Sequence, residues 1–170
     1  MEEIKYNVLC TSCGHESLEV KEVYVEIPKF GKIVIISMLC TKCGYRVNDI
    51  IPLEYKGPSK IEYKVKCLND LSAKVIRSKN SKIIIPELGL ELTPGPRAEA
   101  FITNIEGVLD RFLWIAEYLY NTSSGIIKNR AKNIIEKIKQ AMNAEFEFTV
   151  IMEDEFGNSA IIPPEDFNNR

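Results

Sequence analysis

Two stretches of the chain open with the same chemistry, Cys-Thr-Ser-Cys-Gly from Cys10 and Cys-Thr-Lys-Cys-Gly from Cys40. Four thiolates in two matched turns are a donor set for tetrahedral zinc, which takes four sulfurs at about 2.3 Å. Gly14 and Gly44 follow the second cysteine of each turn. Glycine reaches the positive φ that aims backbone amides at the sulfurs. One zinc per chain, held by Cys10, Cys13, Cys40 and Cys43, is the reading these details favour over two disulfides or a redox pair. Four sulfurs leave no open coordination position for water or substrate, so the metal is expected to be structural. His15 adjoins the first turn as a possible extra ligand, although an exposed ring beside the site is the simpler reading. Cys67, the fifth cysteine, is expected as a small half-buried strand residue.

His15 is also the only histidine in 170 residues. A Ser-His-Asp or Cys-His constellation would have to use it within the zinc site. The chain has neither a Gly-x4-Gly-Lys-Ser/Thr loop nor a Gly-x-Gly-x-x-Gly motif. Glu153, Asp154 and Glu155 could do acid/base work, but beside a Gly-Asn turn they read as a solvated hairpin end. No catalytic residue is assigned, and an enzyme is not expected.

The formal charge of −2 is unevenly spread. Residues 59–85 carry seven basic side chains against two acidic, and residues 124–143 five against one. Residues 86–123 and 144–170 lean acidic. The alternation speaks against a general nucleic-acid binder, which would show a sustained basic excess. Still, the basic stretches from Lys60 to Lys82 and from Lys128 to Lys139 keep a nucleic-acid-binding zinc-ribbon factor in translation or transcription as the alternative. The start of the chain lacks the pattern of a signal peptide and no apolar run is long enough to span a bilayer, so a cytoplasmic location without membrane contact is expected.

The elements that must position the cysteines come next. After the first turn the sequence alternates through Ile27 to Pro28, Lys29-Phe30-Gly31 makes a corner, and Lys32 to Leu39 returns to the second turn. Such a β-hairpin brings Cys10 and Cys13 to Cys40 and Cys43. From Arg46 to about Leu92, short β-branched runs punctuated by Gly57-Pro58, Asn69-Asp70, Asn80 and Pro86 fit an all-β barrel or sandwich. Beyond the loop at residues 93–97 the period becomes helical. Ile105, Val108, Leu109, Phe112, Ile115, Ala116 and Leu119 form one stripe, with Thr103 and Glu106 at capping-box spacing. After a break at residues 123–125, a second helix should turn Ile127, Ala131, Ile134, Ile138 and Ala141 or Met142 inward. The two form a helical hairpin at about residues 103–143. Residues 145–154 alternate again, Gly157 or Asn158 can take positive φ, and residues 159–164 are expected to return as the second arm of a hairpin.

The two cysteine turns around their hairpin, the Phe-Ile-Thr-Asn-Ile-Glu-Gly stretch from Phe101 and the Asp-Glu-Phe-Gly-Asn-Ser turn from Asp154 together resemble the ZPR-type zinc-finger proteins, in their single-unit archaeal form. The resemblance runs over nearly the whole chain and in the right order. It implies a mainly β fold with α: a four-cysteine zinc ribbon at residues 1–50, then a double-stranded β-helix or barrel-like β-domain at residues 51–170 carrying the inserted helical hairpin. It also implies a non-enzymatic, chaperone-like partner of the GTPase translation elongation factor one alpha. By the same resemblance Thr103, Glu106 and Gly107 position the hairpin, while Asp154, Gly157, Asn158 and Ser159 form the closing turn. Tyr118, Tyr120, Lys128 and Lys132, near the joined ends of the two helices, are the candidate partner-binding residues.

Overall fold

A computed structural model of the chain describes residues 2–27, 30–54, 57–96 and 98–168. Pro28 and Lys29 of the expected corner, and Arg97 of the 93–97 loop, lie outside them. Strands β1 (Glu2–Val8), β2 (Leu18–Ile27), β3 (Gly31–Cys40) and β4 (Arg46–Pro52) form one antiparallel sheet in sequence order. The expected hairpin is β2 and β3, paired over ten residues from Leu18 opposite Cys40 to Ile27 opposite Gly31. β1 was not anticipated, because Glu2–Val8 has no buried face to impose alternation. Polar contacts support this edge strand instead: Glu3 bridges Lys5 and Lys21, and the Tyr6 hydroxyl donates to Glu22 at 2.6 Å. β4 pairs with β3 from Leu39 opposite Arg46 to Ile33 opposite Pro52, so the zinc-ribbon sheet runs to Pro52.

Two further antiparallel sheets form the rest. One holds β5 (Ser59–Val65), β10 (Phe148–Asp154), β7 (Lys82–Ile85) and β8 (Leu90–Leu92), in that order. The other holds β11 (Ala160–Ile162), β6 (Lys74–Arg77) and β9 (Phe101–Asn104). Their alternation supplies a common core: Val65, Ile83, Ile85, Phe148, Val150 and Met152 from the first meet Val75 and Ile161 from the second. Along β7 and β10 the residues between these are only partly buried, whereas the other face of the second sheet is covered as well. At the root of the ribbon, Ile27, Phe30 and Ile33 pack with Ile76 of β6 and Ile162 of β11, tying it to the β-domain.

The last two strands differ from the expected hairpin. β10 pairs with β5 and β7, whereas β11 pairs with β6 in the other sheet. The turn between them carries the chain from sheet to sheet because its first residue is anchored inside. Asp154 is buried and accepts from the backbone amides of Phe156 and Asn158 and from the Ser78 and Ser159 hydroxyls. It is therefore no part of a solvated hairpin end. Gly157, at φ 69°, takes the left-handed position.

Helices α1 (Ile105–Thr122) and α2 (Gly125–Met142) are inserted between β9 and β10 and pack against the core through Ile105, Val108, Leu109, Phe112, Ile138 and Ala141. A short α3 (Pro164–Asn168) follows β11. The N-cap of α1 is Asn104, one residue later than the expected Thr103, and its side chain accepts from the Gly107 amide at 2.8 Å. Thr103 lies one residue before the cap because the helix starts at Ile105 rather than at Asn104. Gly107 is required here: a Cβ would run into Thr103 Oγ1 and lie 3.1 Å from Asn104 Oδ1.

Two other expectations need correction. Ile115, Leu119 and Ile127 belong to the apolar stripes but are exposed: the stripe narrows to the buried Ala116 and Ala131, and Ile115 lines a cleft beside them. Cys67 is exposed and lies outside any strand, because β5 ends at Val65. The Asp70 carboxylate accepts from the amides of Lys66 and Cys67 and turns the chain into the 3-10 turn Leu68–Ser72.

Candidate metal centre and exposed surfaces

The Sγ atoms of Cys10, Cys13, Cys40 and Cys43 all lie within 4.8 Å of one another. Cys10 and Cys43 are 3.8 Å apart, and Cys13 and Cys40 3.7 Å. Four sulfurs bound tetrahedrally at about 2.3 Å stand about 3.8 Å apart, the spacing of these two pairs, so the cluster suits zinc. The two turns are built alike. The Cys10 amide donates to the His15 carbonyl at 2.7 Å and the Cys40 amide to the Tyr45 carbonyl at 2.8 Å. Gly14 donates back to the Cys10 carbonyl and Gly44 to the Cys40 carbonyl, at 2.8 and 2.9 Å. Gly14 and Gly44 have φ of 71° and 74°, the conformation this closure demands.

Polar groups around the sulfurs distinguish them. Ser17 Oγ lies 3.2 Å from Cys40 Sγ, and the Cys43 amide donates to the same sulfur at 3.4 Å. The Ser17 hydroxyl, with the amides of Cys43 and Lys42 and against the opposing effect of burial, brings the Cys40 thiol down to about 6. For Cys13 the His15 amide lowers the value, but burial and the three neighbouring sulfurs outweigh it and push the thiol up to about 11. Four crowded sulfurs cannot all carry charge without a cation among them. Zinc supplies that cation and holds the thiolates deprotonated. His15 is exposed, with Nδ1 2.9 Å from the Cys13 carbonyl, outside the sulfur cluster. Ser17 was not singled out in the sequence, although its place beside Leu18, the cross-strand partner of Cys40, carries the signal.

The candidate partner-binding residues sit around the far end of the helical hairpin. Tyr118 is 58% exposed and stacks on Trp114, itself 70% exposed, with ring centroids 6.3 Å apart. Ile126 and Ile127, at the start of α2, are 74% and 57% exposed. Tyr120 is half-buried beneath Lys128, whose Nζ is 4.7 Å from the ring centroid. Lys132 faces Glu136 one turn on, at 3.9 Å. Basic residues of the 59–85 stretch are largely matched: Lys60 with Glu62, Lys64 with Glu147, Lys79 with Asp49, and Lys82 with Glu91. Among the described residues, no helix is long and apolar enough to cross a membrane.

A closed four-sulfur ribbon joined to a two-sheet β-domain with a helical insertion defines a zinc-finger protein whose metal serves the fold. Residues 3–53 match the ZPR1 zinc-finger domain and residues 69–170 the ZPR1 jelly-roll domain, and the chain belongs to the ZPR1 family. It is 38% identical over 155 residues to a ZPR1-like protein of Methanocaldococcus jannaschii, covering 90% of this chain and 78% of the relative. A ZPR1-like protein of Pyrococcus horikoshii is 35% identical over 158 residues, covering 90% and 71%. The zinc finger chaperone zpr1 of Schizosaccharomyces pombe is 31% identical over 162 residues, which is 91% of this chain but 35% of that protein. The archaeal relatives thus align over most of their length, and the fission-yeast relative over about a third of its own.

Proposed function

We propose that this protein is a non-enzymatic folding factor that binds translation elongation factor one alpha through its zinc ribbon and helical hairpin. In this reading the chain divides near residue 50, the β-domain is the scaffold, and Tyr118, Tyr120, Lys128 and Lys132 belong to the contact surface. The observation that carries it is the bare apolar end of the hairpin, where Trp114, Tyr118, Ile126 and Ile127 are exposed together. Large exposed apolar clusters are characteristic of protein-binding sites. Aromatic residues are favoured at the centre of such interfaces. The printed name of the fission-yeast relative, a zinc finger chaperone, supports the same class of activity. Neutralisation of Lys60, Lys64, Lys79 and Lys82 by neighbouring carboxylates weighs against the nucleic-acid alternative.

Capture of partners on the immobilised, zinc-loaded protein, with and without guanine nucleotide, tests the proposal. The elongation factor should be retained in at least one condition. Its absence from both would overturn the assignment.

A further inference from the structure

Beside the base of the hairpin, a cleft of about 970 Å³ opens between α1 and the loop that precedes β9. Leu92, Trp114 and Ile115 give it apolar walls, and two guanidinium groups line it, those of Arg77 and Arg111. Both approach one ring: Arg111 Cζ lies 4.2 Å and Arg77 Cζ 5.4 Å from the Phe101 centroid. Arg77 is only 3% exposed, yet among the described residues no carboxylate forms an ion pair with it. Its Nη1 donates to the Glu99 carbonyl and its Nη2 to the Ser81 carbonyl, while Nε is buried without an acceptor. Burial, and then repulsion from Arg111, lower its pKa from the usual arginine value, and the Asp154 carboxylate offsets them only in part. A guanidinium nevertheless stays protonated in proteins. Asp110 and Glu99 also line the cleft, but neither pairs with Arg77 or Arg111.

A buried cation whose only counter-charge acts from beyond ion-pair distance is costly unless something supplies a nearer one. A planar guanidinium held against an aromatic face is suited to a carboxylate, which it can meet with two parallel N–H donors. The walls add a demand for apolar surface next to that carboxylate. The geometry points to a peptide-binding cleft whose ligand is a partner segment with an acidic side chain beside large apolar ones, the carboxylate meeting the exposed Arg111 with the buried charge of Arg77 reinforcing it across the Phe101 ring, and the apolar groups packing on Leu92, Trp114 and Ile115. This site adjoins the hairpin end and shares Trp114 with it, but it does not depend on which protein docks there.

Trp114 is the only tryptophan in the chain, so its fluorescence reports on the cleft directly. The zinc-loaded full chain is titrated with a capped pentapeptide alternating leucine and glutamate, with its glutamine analogue, and with a uridine hexanucleotide. The glutamate peptide should give a saturable change, and both the glutamine analogue and the Arg111→Gln variant should weaken binding at least tenfold. Arg111 is on the surface, so this variant should keep the fold; its thermal melt checks that. An Ile126→Ser, Ile127→Ser variant, whose positions are exposed and do not line the cleft, should bind the peptide as the parent does, separating the cleft from the hairpin end. No saturable change up to about millimolar peptide, equal affinity for the glutamine analogue, insensitivity to Arg111→Gln, or tighter binding of the hexanucleotide would each overturn the proposal.

Discussion

Asp154 Oδ2 accepts a hydrogen bond from the Ser78 hydroxyl at 2.8 Å, joining residues 76 positions apart. Ser159 completes the link, donating to the same carboxylate oxygen at 2.5 Å and accepting from the Ser78 amide at 3.0 Å. The carboxylate therefore fixes the place where the chain leaves one sheet for the other. Asp154→Ala removes an acceptor that serves two amides and two hydroxyls, and should lower stability by about 3 kcal/mol. Urea unfolding of the zinc-loaded variant measures this, and a loss below about 1 kcal/mol would show that water replaces the side chain.

Gly107→Ala reverses the usual sign. In an ordinary helix this change stabilises by up to about 1 kcal/mol. Here the new methyl group meets Thr103 Oγ1 and Asn104 Oδ1, and must displace the cap. We expect destabilisation of about 1–2 kcal/mol, the usual cost of losing an N-cap. Thermal melts of the two proteins decide it; a more stable variant would contradict the geometry.

Zinc removal should act locally. A strong chelator, or Cys40→Ser, is expected to shift the amide resonances around residues 10–17 and 40–45 to random-coil positions or broaden them, while those of β10 persist. The β-domain has its own core of strands and helices and does not contain the sulfurs. Metal analysis should give one zinc per parent chain, and simultaneous collapse of both regions would show that the metal holds the whole molecule.

Tyr118→Ser combined with Ile126→Ser should abolish capture of the elongation factor with a stability change within about 0.5 kcal/mol, because both side chains are largely exposed. Retention of full capture would place the contact elsewhere.

Asp70 gives the pH dependence. The Lys66 amide and, against burial, the Cys67 amide hold its carboxyl below the ordinary carboxylate range. Its folded pKa is depressed, so the stabilisation is complete above the unfolded value of about 4 and is lost as pH falls through the folded value. Asp70→Ala should cost about 1–2 kcal/mol at neutral pH, and the gap to the parent should narrow in acid. Unfolding curves at pH 7 and at about pH 3 measure both; a gap independent of pH would exclude the charge as the cause.

The elements legible in the sequence are those whose burial imposed a period. The β2–β3 hairpin, the strand at Phe148–Asp154 and the inner parts of α1 and α2 follow from alternation or helical spacing, and the four-cysteine cluster follows from type and spacing together. β1 left no trace because an exposed edge strand needs no apolar face. Pairing of β11 with β6 was hidden because local turn chemistry reports that the chain turns, whereas the buried serine and aspartate that choose the sheet are far apart in sequence. Helical spacing likewise could not tell where the cover of α1 ends. Ile115 and Leu119 continue the stripe but stay 43% and 40% exposed.

The ribbon has the proportions of a lever arm. β2 and β3 each run ten residues, about 33 Å when extended, from sulfurs at one end to Ile27, Phe30 and Ile33 at the other. The inner end is held by apolar packing that needs no metal, and the outer end by the four sulfurs with a small apolar group, Val8, Leu18 and Met38, around them. The two ends therefore answer to different solution variables: temperature and denaturant at the root, metal supply and oxidation at the head. Zinc starvation would blunt the reach of the arm and leave its mounting intact.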